Sequence, residues 1–249
     1  MKRIVTWGVL VLLLGAFAVL PFAWPKGLHA PPIPSPNGYT GLLNAVSQLK
    51  GVPPNGGDGD EASFVKDNQL AFQAVQAALK LQCELPLANY SQTNLPLNDL
   101  GRLKTLAVAL RVKAAQDEKC DAWHEASEGY LDVIRLGQKV EHGPIISMLV
   151  GVAIERIGLS GLEKLAPRLP AVEQQQVRNE LRALNTRRLP YDEVAMRESY
   201  FAHRNTSNPL QILVARYQSR KAMNKAKDKH AQISREFEKV SKEIPAEER

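Results

Sequence analysis

The stretch PIISMLVGVAIERIGLSGLEKL, residues 144–165, decides the fold. It is apolar over most of a helical circumference, so it is either a membrane span or the central helix of a packed domain. Glu155 and Arg156 stand near its middle. A charge at the centre of a bilayer costs about 2.5–3.5 kcal/mol on insertion scales. The segment therefore reads as a buried helix. Ser147, Gly151, Gly158 and Gly161 are small and let neighbouring helices approach closely.

Working outward toward the N-terminus, Leu103, Leu106, Ala107, Leu110 and Ala114 recur at helical spacing, and Trp123, Ala126, Tyr130, Val133 and Ile134 line a second helix. The polar run Gln116–Lys119 reads as the connection between them, so these helices are expected to pack antiparallel. Gly143-Pro144 closes the second helix and opens the next. Further upstream, a helix beginning near Asn37 carries Leu42, Leu43, Val46 and Leu49 on one face and stops at Gly51-Val52-Pro53-Pro54. PPNGGDGDEAS is a loop, one helix is expected from Glu61 to Gln82, and Cys83 to Leu95 forms a second loop around Pro86.

Downstream, Pro167 and Pro170 end the apolar helix and AVEQQQVRNELRAL forms a polar one. Pro190 opens another, carrying Met196, Tyr200 and Phe201, and Asn208-Pro209 restarts the chain into a long last helix. There Ile233, Phe237, Val240 and Ile244 repeat at a/d spacing. No strand pattern competes. The expected fold is all-α, an N-terminal transmembrane helix followed by a helical-hairpin bundle of about seven or eight helices. The helical domain is expected over 37–205, and a long basic C-terminal helix and tail over 206–249.

The first 27 residues read MKRIVTWGVLVLLLGAFAVLPFAWPKG. Lys2 and Arg3 precede an apolar run from Ile4 to Trp24. At 1.5 Å per residue the run is about 31 Å long, against a hydrocarbon core of about 30 Å. Trp7 lies near one end, and Phe22 and Trp24 near the other, where headgroup layers would sit. A cleaved signal peptide competes through Ala16-Phe17-Ala18, but that small-x-small site falls inside the apolar run. The reading adopted is a transmembrane anchor or signal-anchor over 1–25 with a cytoplasmic N-terminus, set by Lys2 and Arg3. The bulk of the chain is then extracytoplasmic, in the periplasm. Pro31, Pro32, Pro34 and Pro36 make 26–36 a stiff spacer.

With 44% hydrophobic and 23% charged residues, the 249-residue chain is a folded protein and not a disordered tail. It lacks a nucleophile elbow, a P-loop, a dinucleotide fingerprint and HExxH, so no catalytic residue and no cofactor is assigned. His124 and Glu128 share a helix face, with Asp121 upstream, and are the nearest approach to a metal site. A second set from other helices would be Glu141 with His142, or His203 with Glu198. The spacing does not tie them together, and the metal assignment is none. Asn55–Glu61 has enough oxygen atoms for Ca²⁺ but not EF-hand spacing, and Asp60 and Glu61 fit better as acids at a helix N-terminus. Cys83 and Cys120 are a possible disulfide in an oxidising compartment, or two small buried hydrophobes. Arg216, Arg220, Lys221, Lys225, Lys227 and Lys229 form a patch for an anionic partner or lipid headgroups, or a solvated helix face. The inferred compartment disfavours nucleic acid. The expected partners are the membrane, through the N-terminal helix, and another protein.

The hairpin ALRVKAAQDEKCDAWHEASEGYLDVIRL, residues 109–136, loosely resembles a tetratricopeptide unit, without its Gly before the turn, its terminal Pro or a 34-residue period. The stretch from Asn37 to about Leu184 resembles a group of uncharacterised bacterial single-pass envelope proteins. The motifs that carry this are Asn37-Gly38-Tyr39, Cys83-Glu84-Leu85-Pro86 and IISMLVGVAIERI. The resemblance implies topology and fold, and brings no catalytic residues. The function expected from these features is that of a membrane-anchored helical module acting by protein–protein contact, with an enzyme whose unrecognised site lies in the helical bundle, metal-dependent or not, as the alternative.

Overall fold

The computed structural model describes residues 30–54, 60–91, 95–204 and 209–244, with residues 203 and 209–222 described by their backbone alone. The anchor expected over 1–25, with Lys2, Arg3, Trp7 and Trp24, lies outside the described residues. Among those described, the chain is all-helical. In order it forms α1 (Gly38–Ser47), α2 (Glu61–Asp67), α3 (Gln69–Leu79), α4 (Leu97–Lys119), α5 (Trp123–Val140), α6 (Ile145–Leu165), α7 (Ala171–Thr186), α8 (Tyr191–Arg204) and α9 (Pro209–Glu243).

Local capping starts the first two helices. The Asn37 side chain accepts from the Tyr39 amide at 3.0 Å, and Asp60 accepts from the Ser63 amide at 2.9 Å. The single helix expected over Glu61–Gln82 is instead two, divided at Asn68. Asn68 is buried, and its amide is bonded to three backbone groups. Its Oδ1 accepts from Lys50 N at 2.7 Å, while its Nδ2 donates to Lys50 O at 3.1 Å and Phe64 O at 2.8 Å. The break lets one side chain satisfy the loop that follows α1. Asn68→Ala would orphan those groups and is expected to cost about 2–4 kcal/mol. The effect should appear as a lower urea midpoint at unchanged slope.

The α4–α5 hairpin forms as expected, but its turn is displaced. Gln116–Lys119 is the last turn of α4, held by the Lys113–Asp117 pair at 2.6 Å, and the chain reverses at Cys120–Ala122 with Asp121 at φ 55°. Asp is among the few non-glycine residues that tolerate this left-handed conformation.

Helix α6 is the centre of the molecule. By length and composition Ile145–Arg168 could cross a membrane, but 56% of its most apolar window is buried inside the protein, against α4, α5, α8 and α9. Its largest interface is with α5. There the backbones touch, since a Cβ added to Gly151 would fall 2.6 Å from the Gly137 carbonyl oxygen.

Side chains such as Leu42, Phe72, Leu103 and Val133 fill the core between α1, α3, α4 and α5. Ile134, Met148, Leu162, Leu181 and Phe237 fill it between α5, α6, α7 and α9. From Ala226 onward the C-terminal helix contributes to the core through Ala226, Ile233, Phe237, Val240 and Ile244, all buried.

Candidate functional site

Most of the buried charge is collected in two clasps, and a third charged cluster lines a groove. In the first clasp, Glu155 in the middle of α6 faces Glu141, which ends α5. Both are fully buried at 0% exposure. Arg188, in the α7–α8 loop, bridges them: Nη1 donates to Glu141 Oε1 at 2.9 Å and Nη2 to Glu155 Oε1 at 2.7 Å. Its guanidinium lies 4.9 Å from the centre of the Phe237 ring on α9. Burial, and then the charge of Glu155, push the Glu141 carboxyl well above its ordinary range. Burial also raises Glu155, opposed by Arg188. Among the described residues, the Oε2 atoms of both carboxyls accept no N–H hydrogen bond and Nε of Arg188 finds no acceptor. The two carboxyls are close enough to hydrogen-bond to each other when one is protonated. Nearby, His230 Nε2 bonds to Leu189 O at 2.9 Å, and burial with the charge of Arg188 lowers its pKa.

The second clasp joins the segments that carry the sequence motifs. Arg197 on α8 grips Glu84 with two bonds, at 2.9 and 3.0 Å. Burial pushes the Glu84 carboxyl up, but hydrogen bonds from His142 and Arg197 outweigh it and hold the group below its ordinary range. Asn37 exchanges hydrogen bonds with the Glu84 backbone at 2.8 and 3.1 Å. Gly38 N donates to Gln82 O at 2.7 Å, and Leu85 N to His142 O at 3.2 Å. Asn37-Gly38-Tyr39, Cys83-Glu84-Leu85-Pro86 and the start of α6 therefore meet at one end of the bundle. Glu198 completes the junction by accepting from Ile145 N at 3.0 Å.

The groove, of about 690 Å³, runs along α5 between α3 and α7. Arg135 is its hub, bonded to Glu128 and Asp132 at 2.8 Å each and to Glu180 at 3.1 Å. Burial raises Asp132, with Arg135 opposing it. Charge along the groove is divided. Glu128 and Asp132 lie toward the start of α5, Lys80 and Lys139 toward its end beside His142, and Arg187 meets Arg135 on Glu180 between them. Lys139 is pinned by donating to Leu81 O at 2.6 Å, whereas Lys80 is exposed and makes no ion pair.

The structure separates several residues that the sequence could have joined. The disulfide is not formed: Cys83 and Cys120 are free thiols. Cys83 Sγ lies on Lys139 O at 3.5 Å, at the end of α5, and Cys120 immediately precedes its start. The two are thus apart by most of a helix, about 25 Å, far beyond the reach of a bridge. Burial pushes the Cys83 thiol up to about 12, as for an inert packed cysteine.

His124 is exposed, and its neighbour Glu128 belongs to Arg135. Glu141, His142 and Glu198 are held in three different contacts. No group of three or more His, Cys, Asp or Glu among the described residues is placed to hold a metal. In the acidic loop, residues 55–59 lie outside the described residues, Asp60 caps α2 and Glu61 pairs with Lys119 at 2.6 Å. Of the basic patch, Lys225 and Lys227 are exposed and Lys229 donates to Gln232 at 3.1 Å. The side chains of Arg216, Arg220 and Lys221 lie outside the described residues.

Arg188 and Arg197 are the residues that sequence reasoning did not single out. Glu155 was the available signal, because a carboxylate inside an apolar helix requires a buried cation. No protein-family model, curated protein or solved structure matches the chain.

Proposed function

We propose that this protein is a membrane-anchored, extracytoplasmic helical module that acts by protein–protein interaction, as a scaffold or accessory subunit. In this reading the groove between α3, α5 and α7 receives an extended segment of the partner. The observation that carries the reading is the division of charge along the groove. From Glu128 to Lys139, α5 is about 17 Å long, which matches some five residues of extended chain. A segment with a basic residue at one end and an acidic residue at the other would meet its complement at both. Helix α5 of the loosely tetratricopeptide-like α4–α5 hairpin supplies the floor, and the N-terminal anchor and Pro-rich spacer hold the groove off the bilayer.

The test places a photo-crosslinkable residue at Gln76, in the groove, or at Ser160, outside it, in the full chain in intact cells. A discrete adduct from Gln76 and none from Ser160, in membranes whose protein is digested by external protease, is the expected result. Lys80→Glu should slow formation of that adduct about tenfold at low salt and less at high salt. Equal adducts from both positions would overturn the groove. A shortened, released chain would overturn the tether.

A further inference from the structure

We infer that Glu141 and Glu155 hold one proton between them, and that with Arg188 they form a latch that releases the α7–α8 loop and the C-terminal half of α9 when that proton is lost. The latch goes beyond the partner-binding reading and does not depend on it.

The charges in the cluster do not balance without a proton. Two carboxyls at 0% exposure face a single guanidinium, and each keeps one oxygen that accepts no N–H hydrogen bond among the described residues. With one proton shared, the cluster is neutral and a carboxyl O–H donates across the pair. With none, a net negative charge is sealed in the core.

Among the described side chains of the packed elements, no other cation is placed to neutralise it. On α5 the neutral Gln138 donates to Leu184 O at 3.1 Å and hydrogen-bonds to Glu155, and Lys139 is committed to Leu81 O at 2.6 Å. On α6, Arg156 is committed to Glu236 of α9 at 2.7 and 2.9 Å. Arg187 bonds to Ala183 O at 3.2 Å and Glu180 at 3.4 Å, and Arg178 of α7 to Ile244 O at 2.6 Å. His230 of α9 faces Arg188, whose charge disfavours the imidazolium.

The cluster can be relieved only by admitting water, and the geometry selects what must move. Helices α5 and α6 are in backbone contact at Gly137 and Gly151 and share the largest helix–helix interface, so separating them would expose more of the core than moving a loop. Arg188 lies in a loop and is covered by Phe237. The loop and α9 are therefore the lid. In water each carboxyl has a pKa of about 4.3, so above that value opening releases a proton and the open fraction grows tenfold per pH unit.

The test is amide hydrogen exchange of the full chain over a pH series, corrected for intrinsic exchange, in the native protein and in Glu141→Gln. Glutamine donates where the proton stood and cannot ionise. Opening of the amides around Phe237 should rise about tenfold per pH unit in the native chain and stay flat in Glu141→Gln. Equal slopes in the two proteins would overturn the latch, and so would lower protection in Glu141→Gln at every pH. Infrared spectroscopy gives an independent reading that needs no variant to fold. A buried protonated-carboxyl band in the native protein at neutral pH is expected, and its absence would refute the shared proton.

Discussion

Arg188→Met should destabilise the protein by about 3–5 kcal/mol at pH 7 and by far less near pH 4.5. Methionine replaces much of the stem volume, so the main loss is the charge, with a smaller loss of the contact to Phe237. Without the guanidinium, Glu141 and Glu155 must both be protonated to stay buried. The native fold binds one proton more than the unfolded chain, because Glu141 is raised. The variant fold would bind two. A carboxyl raised by folding contributes stability that falls as pH rises above the unfolded value of about 4.3, by about 1.4 kcal/mol per unit for each proton held. The stability of the variant should therefore decline with pH about twice as steeply as that of the native chain, and the two curves should converge in acid. Urea unfolding at both pH values measures this. Equal losses at pH 4.5 and pH 7 would assign the effect to packing alone.

The helices were legible because their apolar positions recur with helical period. Glu155 inside α6 was legible too, as an argument against a membrane span, and the structure gives the reason it is tolerated. What periodicity could not supply was the partner. Arg188 follows Arg187 in a short loop and reads as another exposed cation, yet it joins residues 33 and 47 positions away. Arg197 and Glu84 are 113 positions apart.

The division at Asn68 was hidden for the same reason. Good helix-forming residues flank it on both sides, and the loop backbone it satisfies is 18 residues upstream. Of the two readings of Cys83 and Cys120, the disulfide fails on a length, and burial holds for Cys83 alone. Once α5 is a straight helix, its two ends cannot be brought together. Sequence thus revealed which faces are apolar but not which buried charges meet, and in this protein the meeting of charges defines both clasps and the groove.

A pair of glycine substitutions separates helix propensity from helix approach. Gly101 lies within α4 with open space around it, so Gly101→Ala should stabilise by about 0.5–1 kcal/mol through the unfolded state and helix propensity. Gly158→Ala gains the same propensity within α6, but its Cβ would stand 2.6 Å from Ile134 Cγ1 and 2.7 Å from the Tyr130 carbonyl oxygen. Ile134 is fully buried, and the carbonyl is backbone, so neither yields without moving α5. A net loss of about 2–3 kcal/mol is expected. For a domain of this size that lowers the thermal midpoint by about 4–12 °C, while Gly101→Ala raises it by a few degrees. The loss should be compounded at the first clasp, because Gly151 and Glu155 lie on the same α6–α5 seam and any parting of the helices stretches the Arg188 bridge. A midpoint for Gly158→Ala at or above the native value would mean that α5 and α6 have slack. The α5–α6 distance would then be set by the clasp rather than by the glycines.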